Sequence, residues 1–194
     1  MARQRKKREA RIPEIIDGAS KLMVEKGVAN TSLADIASEL GISKGTLFYY
    51  YPSKADLIFD ISERHLEHMT DRIFSWIDES GATKEPSKVL QMAMETIISS
   101  ETRGHIHVYL IQEALTGNEQ LRQRFLEEYP EWARMIEEGL RRVMDPDRDY
   151  SVLARLILAT IDGFLLQNLL GTTDVSLGDV SRYLTSLEPP VSRA

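Results

Sequence analysis

A short basic and aromatic segment, 44–51, holds the residue types best suited to contacting another molecule. When it is drawn as a helix, Leu47 and Tyr51 can point inward together with the preceding Ile42. The opposite, outward face then carries Lys44, Gly45, Thr46, Phe48 and Tyr49. In a DNA major groove, lysine can read a base or neutralise a phosphate, glycine allows close approach, and aromatic rings pack on thymine methyl groups. The segment therefore predicts a helix that contacts double-stranded DNA.

A second short helix and a tight turn must precede this helix to position it. The apolar residues of the first helix follow helical spacing: Leu33, Ile36, Ala37 and Leu40. Ser32 with Asp35 predicts a capping box at its start, and Gly41 supplies the left-handed residue that ends it. Ser43 then predicts the cap of the second helix. Together these features predict a helix-turn-helix whose recognition helix spans about 44–51.

The charge is distributed unevenly along the 194 residues. The net charge of −6 would alone argue against nucleic acid, but residues 1–54 contain ten basic and six acidic residues. The remainder contains fourteen basic and twenty-four acidic residues. This pattern favours DNA binding by the N-terminal part only. The absence of cysteine is compatible with a cytoplasmic location, and no segment resembles a signal peptide or a membrane span.

The rest of the chain also reads as helical, so the predicted class is all-α. We divide it into a disordered basic arm (1–8), a DNA-binding module (9–54), and a helical bundle for ligand binding and dimerisation (55–194). After a long helix from Lys54 to about Asp78, further helices are expected at about 87–100, 104–116, 119–144, 149–170 and 177–187. Breaks are expected at Arg103-Gly104, Thr116 to Asn118, Asp145 to Asp147 and Gly171 to Thr173, with a loop at 80–86. The basic arm could be a solvated tail or could reach a minor groove.

The region from about Ile12 to Leu57 resembles the TetR family of bacterial transcriptional regulators. The resemblance rests on Glu25-Lys26-Gly27, Thr31-Ser32, Asp35-Ile36-Ala37, Gly41 to Leu47, the aromatic run 48–51, and Ser53-Lys54 with Leu57. It implies a homodimeric repressor whose N-terminal three helices bind a palindromic operator. It also implies a C-terminal bundle that binds a small-molecule effector and dimerises.

The resemblance further implies roles for single residues of the N-terminal module. Ser43, Lys44, Gly45 and Tyr49 would approach base edges, and Ser32, Thr46, Tyr50 and Lys54 would face phosphates. The chain departs from the family at Phe48, where a tyrosine is usual, so only apolar packing is expected there. It also departs at Tyr51, where a core phenylalanine is usual. The Tyr51 hydroxyl therefore needs a hydrogen-bond partner or solvent.

The helix at 149–170 is apolar nearly all round and must be covered on two sides. A second subunit is the natural cover for one side, although a central helix in a monomer is the alternative. The predicted dimer interface comprises Leu158, Leu165, Leu169, Tyr183, Leu184 and Leu187, with Leu158 and Leu165 as outward positions.

An effector cavity is expected between helices of the bundle. Its predicted lining is Met92, Tyr109, Gln112, Glu113, Tyr129, Trp132, Phe164, Gln167 and Asn168. The number of Met and aromatic residues favours an apolar or amphipathic organic effector.

Other functions find little support in the sequence. The four histidines match no sharp metal-ligand spacing, and no cofactor is expected. No Ser/His/Asp order, glycine-rich phosphate loop or paired catalytic carboxylates indicate an enzyme. A DNA-binding protein without a small-molecule ligand, acting as an architectural factor or through a protein partner, remains the second hypothesis.

Overall fold

Helices form the regular secondary structure of the residues that the structure describes. This computed structural model describes residues 2–79, 85–99, 101–172 and 174–187, and the side chains of 2–10 and 101–102 fall outside the description. The helices in chain order are α1 (Ala2–Lys26), α2 (Leu33–Glu39), α3 (Lys44–Tyr50), α4 (Lys54–Glu79), α5 (Pro86–Ile98), α6 (Glu101–Leu115), α7 (Glu119–Val143), α8 (Ser151–Leu169) and α9 (Leu177–Ser186). The predicted all-α class is confirmed.

The chain divides into two compact units, Met1–Glu67 and His68–Ala194. The sequence predicted a division after residue 54, but α4 is one continuous helix from Lys54 to Glu79. Its first turns bury Ala55, Leu57 and Ile58 and belong to the first unit. The division after Glu67 falls inside α4, where neither glycine nor proline marks a boundary in the sequence.

α1 begins at Ala2, so the segment expected to be a disordered arm continues the helix. Arg, Lys, Gln and Ala favour helical backbone, and neither glycine nor proline interrupts the chain before Pro13. Further along, Ile15, Ala19 and Leu22 are buried and anchor α1 in the first unit. α1 ends before Gly27, whose φ of +85° is a conformation that favours glycine.

Close packing of α1 against α2 depends on a glycine. A Cβ atom at Gly18 would overlap the side chain of Leu40 at the end of α2. Gly41 then adopts φ +63° and turns the chain toward α3. Both short helices bury their apolar residues, with Ile36 and Leu47 fully inaccessible. The helix-turn-helix predicted from the sequence is thus present.

The second unit is built around α8. One face of α8 packs with α5, α7 and α9 in a continuous apolar core. The buried members of this core are Leu90, Met94, Ile98, Leu140, Tyr150, Leu153, Ala154, Ile157, Ile161, Leu165 and Leu184. Among the described helices, α8 is long and apolar enough for a membrane span by length and composition, and one of its faces is part of this core.

One predicted helix break is wrong. α6 continues through Arg103-Gly104. A Cβ atom at Gly104 would lie 3.3 Å from three side-chain carbons of Leu169. Glycine therefore serves close packing of α6 on α8 at this position. The breaks after α6 and α8 are confirmed by Gly117 and Gly171, with φ values of +133° and +67°. Most of the predicted loop, residues 80–84, lies outside the described residues.

Candidate DNA-binding surface and ligand cavity

The outward face of α3 is open to solvent. Phe48 and Tyr49 are 49% and 65% exposed, although large aromatic side chains are usually buried. Lys44 and Thr46 are exposed beside them. Leu47 on the opposite face is fully buried. The inward and outward faces predicted from the sequence are therefore the faces that the structure has.

Among the described residues, neither packing nor backbone conformation requires glycine at position 45. A Cβ atom there would meet only the hydroxyl of Ser43, at an ordinary 3.9 Å, and the φ of Gly45 is not in the positive region. Glycine inside a helix costs up to about 1 kcal/mol relative to alanine. The missing side chain thus destabilises α3 without a packing gain, and it leaves the exposed backbone open to close approach.

Serine caps fix the starts of α2 and α3. The Ser43 hydroxyl accepts a hydrogen bond from the backbone N–H of Thr46 at 3.0 Å and lies 2.8 Å from the Thr46 hydroxyl. The Ser32 hydroxyl accepts from the backbone N–H of Asp35 and donates to its carboxylate. The Ser32 hydroxyl and the Ser32 backbone N–H both donate to the Asp35 carboxylate, which holds the pKa of Asp35 below its ordinary value. Both predicted caps are present, and the predicted contacts of Ser32, Ser43 and Thr46 with DNA stay predictions.

Lys54 is anchored within the first unit by a hydrogen bond. Its ammonium group donates to the backbone carbonyl of Val28 at 2.6 Å, which ties the start of α4 to the loop after α1. Burial lowers the pKa of Lys54 from its ordinary value. One of the three ammonium protons is therefore committed within the chain, so any phosphate contact would use the remaining two.

The three tyrosines after Phe48 occupy different environments. Tyr49 is exposed, and its ring packs edge-on against the half-buried Tyr50 with ring centres 5.3 Å apart. Tyr51 is buried, and its hydroxyl donates to the carboxylate of Asp60 at 2.7 Å. The partner that the sequence required for the Tyr51 hydroxyl is therefore an acidic residue of α4.

A cavity of about 530 Å³ lies between α6, α7 and α8 in the second unit. Its walls are mostly apolar, with four polar or charged side chains. The lining residues are Ile111, Ala114, Leu115, Arg122, Phe125, Leu126, Tyr129, Pro130, Arg155, Leu158, Ala159 and Asp162. Its volume lies in the range of small-molecule sites.

Most of the predicted pocket residues do not line this cavity. Tyr129 lines it, and Trp132 packs directly on the Tyr129 ring with ring centres 4.9 Å apart. The other seven predicted residues, Met92, Tyr109, Gln112, Glu113, Phe164, Gln167 and Asn168, lie elsewhere on α5, α6 and α8. Phe164, for example, packs on the apolar core, and Gln112 and Gln167 are exposed. Residue type alone did not reveal which side of each helix faces the cavity.

Asp162 organises the polar end of the cavity. One of its carboxylate oxygens accepts a hydrogen bond from the Tyr129 hydroxyl at 2.9 Å. The other lies 3.1 Å from Nε2 of His107. Burial, followed by the nearby charge of Asp162, raises the pKa of Tyr129 far above its ordinary value. Three helices thus meet at one carboxylate.

Aromatic rings pack around the two side chains that contact this carboxylate group. Phe125, Tyr129, Trp132 and His107 form a contiguous cluster with ring centres 4.9 to 6.5 Å apart. Neither Asp162 nor His107 is among the predicted pocket residues. A usable signal was present, because Asp162 is the single acidic residue in the apolar helix α8. Among the described residues, no group of three His, Asp or Glu side chains could hold a metal ion.

An exposed apolar stripe runs along the side of α8 away from the core. Val152, Leu156, Leu166 and Leu170 recur at helical spacing and are 47% to 69% exposed. Tyr183 of α9 is also exposed, at 70%. The exposed apolar side chains of this stripe and Tyr183 are together termed the α8/α9 apolar face below.

The predicted interface residues fit this face only in part. Tyr183 belongs to it, but Leu165 and Leu184 are buried in the core of their own chain, so the prediction that Leu165 points outward is wrong. Leu158 lines the cavity, Leu169 packs on α6 at Gly104, and Leu187 packs against the core. Because α8 is apolar nearly all round, the positions of its apolar residues do not distinguish an outer face from an inner one.

A three-helix unit with an exposed basic and aromatic helix, followed by a separate helical bundle, defines a helix-turn-helix transcriptional regulator. Residues 15–61 match the family profile of bacterial regulatory proteins of the tetR family. Residues 90–187 match the C-terminal profile of BetI-type transcriptional repressors. The second match alone spans half of the chain. The chain belongs to the TetR family.

Curated relatives are described as HTH-type transcriptional regulators. The regulator YerO of Bacillus subtilis, described as an uncharacterized HTH-type transcriptional regulator, is 25% identical over 88% of this chain and 60% of its own length. The HTH-type transcriptional regulator LmrA of Bacillus subtilis is 24% identical over 90% of this chain and 94% of its own length. The chain thus spans less than two thirds of the first relative and nearly all of the second.

Solved structures share the fold. The Thermus thermophilus repressor FadR, in complex with lauroyl-CoA, covers 95% of this chain and is itself covered completely, with a TM-score of 0.69 at 19% identity. The multidrug binding protein EbrR, complexed with imidazole, covers 94% of this chain and is 97% covered, with a TM-score of 0.63 at 26% identity. A Saccharomonospora viridis protein in complex with choline covers 91% and is 94% covered, with a TM-score of 0.61 at 24% identity.

Proposed function

We propose that this TetR-family regulator is a homodimeric cytoplasmic repressor that binds a palindromic operator and is released from it by a small organic effector. The recognition helix is α3, the dimer forms through the α8/α9 apolar face, and the effector occupies the cavity between α6, α7 and α8. The proposal assigns the chain no catalytic role and no cofactor.

The observation that carries the DNA-binding part is the outer face of α3. Lys44, Phe48 and Tyr49 are exposed where a solvated surface would favour small polar groups. Gly45 weakens the helix without serving its packing. Both features are useful when another molecule covers α3. Ser43, Lys44, Gly45 and Tyr49 are proposed to approach bases, while Ser32, Thr46, Tyr50 and Lys54 face phosphates.

The exposed stripe of α8 supports a dimer. Four large aliphatic side chains along one side of α8 would stay exposed on a monomer, and soluble proteins usually cover such apolar surface. A symmetric dimer covers such a stripe with its own copy, because the same patch on each subunit is self-complementary. Two recognition helices in one dimer would then read the two halves of a palindrome.

The cavity supports a ligand-responsive regulator. Its walls belong to α6, α7 and α8, and α7 also contacts the last turns of α4. Arg142 of α7 donates to Asp78 at 2.9 Å and lies 4.3 Å above the ring of Phe74. We propose that an effector shifts α7 and thereby α4, whose other end begins directly after α3. An effector that binds the DNA-incompetent state more tightly lowers operator affinity by the same factor.

The relatives favour an organic effector without identifying it. Solved structures of the same fold contain lauroyl-CoA, choline or imidazole, all of which are organic molecules of different charge and size. The apolar walls of the cavity agree with an apolar or amphipathic compound.

The proposal is tested by measuring operator binding of the purified protein across a panel of apolar and amphipathic compounds, alongside thermal shifts with the same compounds. We expect at least one compound to stabilise the protein and to weaken operator binding. A compound that occupies the cavity and leaves operator affinity unchanged would contradict the release mechanism. The absence of any stabilising compound would favour the second hypothesis, a DNA-binding protein that needs no small ligand.

A further inference from the structure

The polar end of the cavity has an unusual combination of groups for an apolar site. The carboxylate of Asp162 accepts a hydrogen bond from Tyr129, whose ring packs against Phe125 and Trp132, and it is the negative charge of the cavity lining. Aromatic faces attract positive charge through their quadrupole. A carboxylate beside aromatic faces therefore favours a cationic group over a neutral or anionic one.

We propose that this end of the cavity binds the head group of an amphipathic quaternary ammonium compound. The inference rests on the proposed function in taking the cavity as the effector site, and it adds the chemical class of the effector. Phe125 and Tyr129 line the cavity and present ring surface to the head group. Asp162 supplies the countercharge.

The hydrogen bonds of Asp162 favour a quaternary over a primary ammonium group. One carboxylate oxygen accepts from Tyr129, and the other is engaged with His107. A primary ammonium group has three N–H donors that lose water on binding, and Asp162, with one acceptor position on each oxygen already used, can accept from at most two of them. A quaternary ammonium group donates no hydrogen bond, so it needs only the negative charge and the ring faces.

The two arginines at the cavity do not reverse this preference. Arg122 donates two hydrogen bonds to Glu119, at 2.8 and 3.0 Å, so its charge is already compensated. Arg155 is exposed, so solvent and salt screen its charge. It lies two helical turns, roughly 10 Å, before Asp162 along α8. An anionic head group would therefore meet a screened cation at the outer end and a partly buried carboxylate at the inner end.

The stretch of α8 between Arg155 and Asp162 accommodates the apolar part of the ligand. Leu158 and Ala159 lie between the two charges on the cavity side of α8. Ile111 and Ala114 of α6 line the cavity opposite them, as does Leu126 of α7. A linear alkyl chain attached to the ammonium group matches this apolar lining.

The test compares four ligands with the same decyl chain and different head groups: decyltrimethylammonium, decylammonium, decanol and decanoate. Binding to the full-length protein is measured by calorimetry, below the concentration at which each compound forms micelles. We expect decyltrimethylammonium to bind at least about tenfold more tightly than decanol or decanoate. We also expect it to bind more tightly than decylammonium. Equal affinities, or tighter binding of decanoate, would overturn the proposal.

Matched variants locate the preference. Asp162→Asn removes the charge and Phe125→Leu removes a ring face, and each should reduce the affinity for decyltrimethylammonium about tenfold while changing that for decanol less than about threefold. The control Glu127→Gln removes one negative charge from an exposed position of α7 and should change neither affinity. The proposal is overturned if both variants keep the wild-type preference for decyltrimethylammonium over decanol. If Asp162→Asn does not have the wild-type circular dichroism spectrum, Phe125→Leu alone is the test.

Operator binding distinguishes this inference from the proposed function. If decyltrimethylammonium binds as expected and operator affinity does not change, the head-group site stands and the release mechanism fails. If other compounds release the operator but decyltrimethylammonium does not bind, the release mechanism stands and the head-group site fails.

Discussion

Individual side chains of the first unit have two distinct tasks. Tyr51 and Lys54 fix α3 and α4 through hydrogen bonds to Asp60 and to the backbone of Val28. Lys44 and Tyr49 project from α3 into solvent. Substitutions in the first group should therefore change stability, whereas substitutions in the second group should change DNA binding.

Lys44→Ala tests the second group. We expect a loss of roughly 1–3 kcal/mol in operator binding if Lys44 reads a base, together with relaxed selectivity at one base pair. If Lys44 contacts only phosphate, the loss is smaller and equal for all sequences. Fluorescence anisotropy with operator and single-base variants measures both quantities. Unchanged affinity for every sequence would remove Lys44 from the DNA contact.

Tyr51→Phe tests the first group. The variant keeps the buried ring and removes the hydroxyl that donates to Asp60, so we expect a decrease of about 1–2 kcal/mol in the free energy of unfolding. Urea denaturation followed by circular dichroism measures the change. The control Tyr49→Phe removes a hydroxyl from an exposed ring and should leave the free energy of unfolding within about 0.5 kcal/mol of wild type. Equal effects of the two variants would contradict a stabilising role for the Tyr51–Asp60 hydrogen bond.

Two glycines in the first unit show how a helix can be built for packing or for contact. Gly18 allows α2 to approach α1, since a Cβ atom there would overlap Leu40. Gly45 has open space around it and weakens α3. The same substitution should therefore have opposite effects on stability in the two helices.

Gly45→Ala should raise the free energy of unfolding by up to about 1 kcal/mol, because alanine is the better helix former. It should also weaken operator binding, because a methyl group then occupies the surface that approaches DNA. Gly18→Ala should lower the free energy of unfolding by roughly 1–3 kcal/mol through overpacking. Thermal unfolding and anisotropy on the same two proteins measure these effects. A Gly45→Ala variant that binds operator as tightly as wild type would contradict close backbone approach.

The short helices were predictable because their signals are local. Ser32 with Asp35, Gly41 and Ser43 lie within a few residues of the ends that they define, and all four act as expected. The arrangement of His107, Tyr129 and Asp162 depends on three helices, with partners 33 and 55 residues apart in the chain. Local sequence patterns cannot indicate contacts between residues that are so far apart in the chain. The outer face of α8 was missed for a different reason, because a helix that is apolar all round has no phase to read.

In the molecule as a whole, α8 contributes to three parts of the second unit: its core, its cavity and its exposed apolar surface. Its buried face forms the core, its cavity face carries Asp162, and its exposed row carries Leu156 and Leu166. Dimerisation is the activity that the exposed row predicts most directly. It is also required for reading a palindrome.

Leu156→Asp and Leu166→Asp place a charge on the α8/α9 apolar face. We expect each variant to shift the protein from dimer to monomer, since an unpaired charge buried at an interface costs several kcal/mol. Sedimentation velocity at micromolar concentration measures the change. Val24→Asp is the control, because Val24 is an exposed aliphatic residue of α1 in the other unit and its substitution should leave a dimer. A wild-type protein that sediments as a monomer would end the dimer proposal.

The central claim, sequence-specific DNA binding by a symmetric pair of α3 helices, is tested most directly by recovering the DNA fragments that the wild-type protein retains from its own genome and measuring their affinity at physiological salt. We expect the fragments to share a palindrome with half-sites about one helical turn apart. We also expect them to bind at least about a thousandfold more tightly than scrambled DNA of the same length. Equal affinity for the recovered and scrambled fragments would contradict the claim.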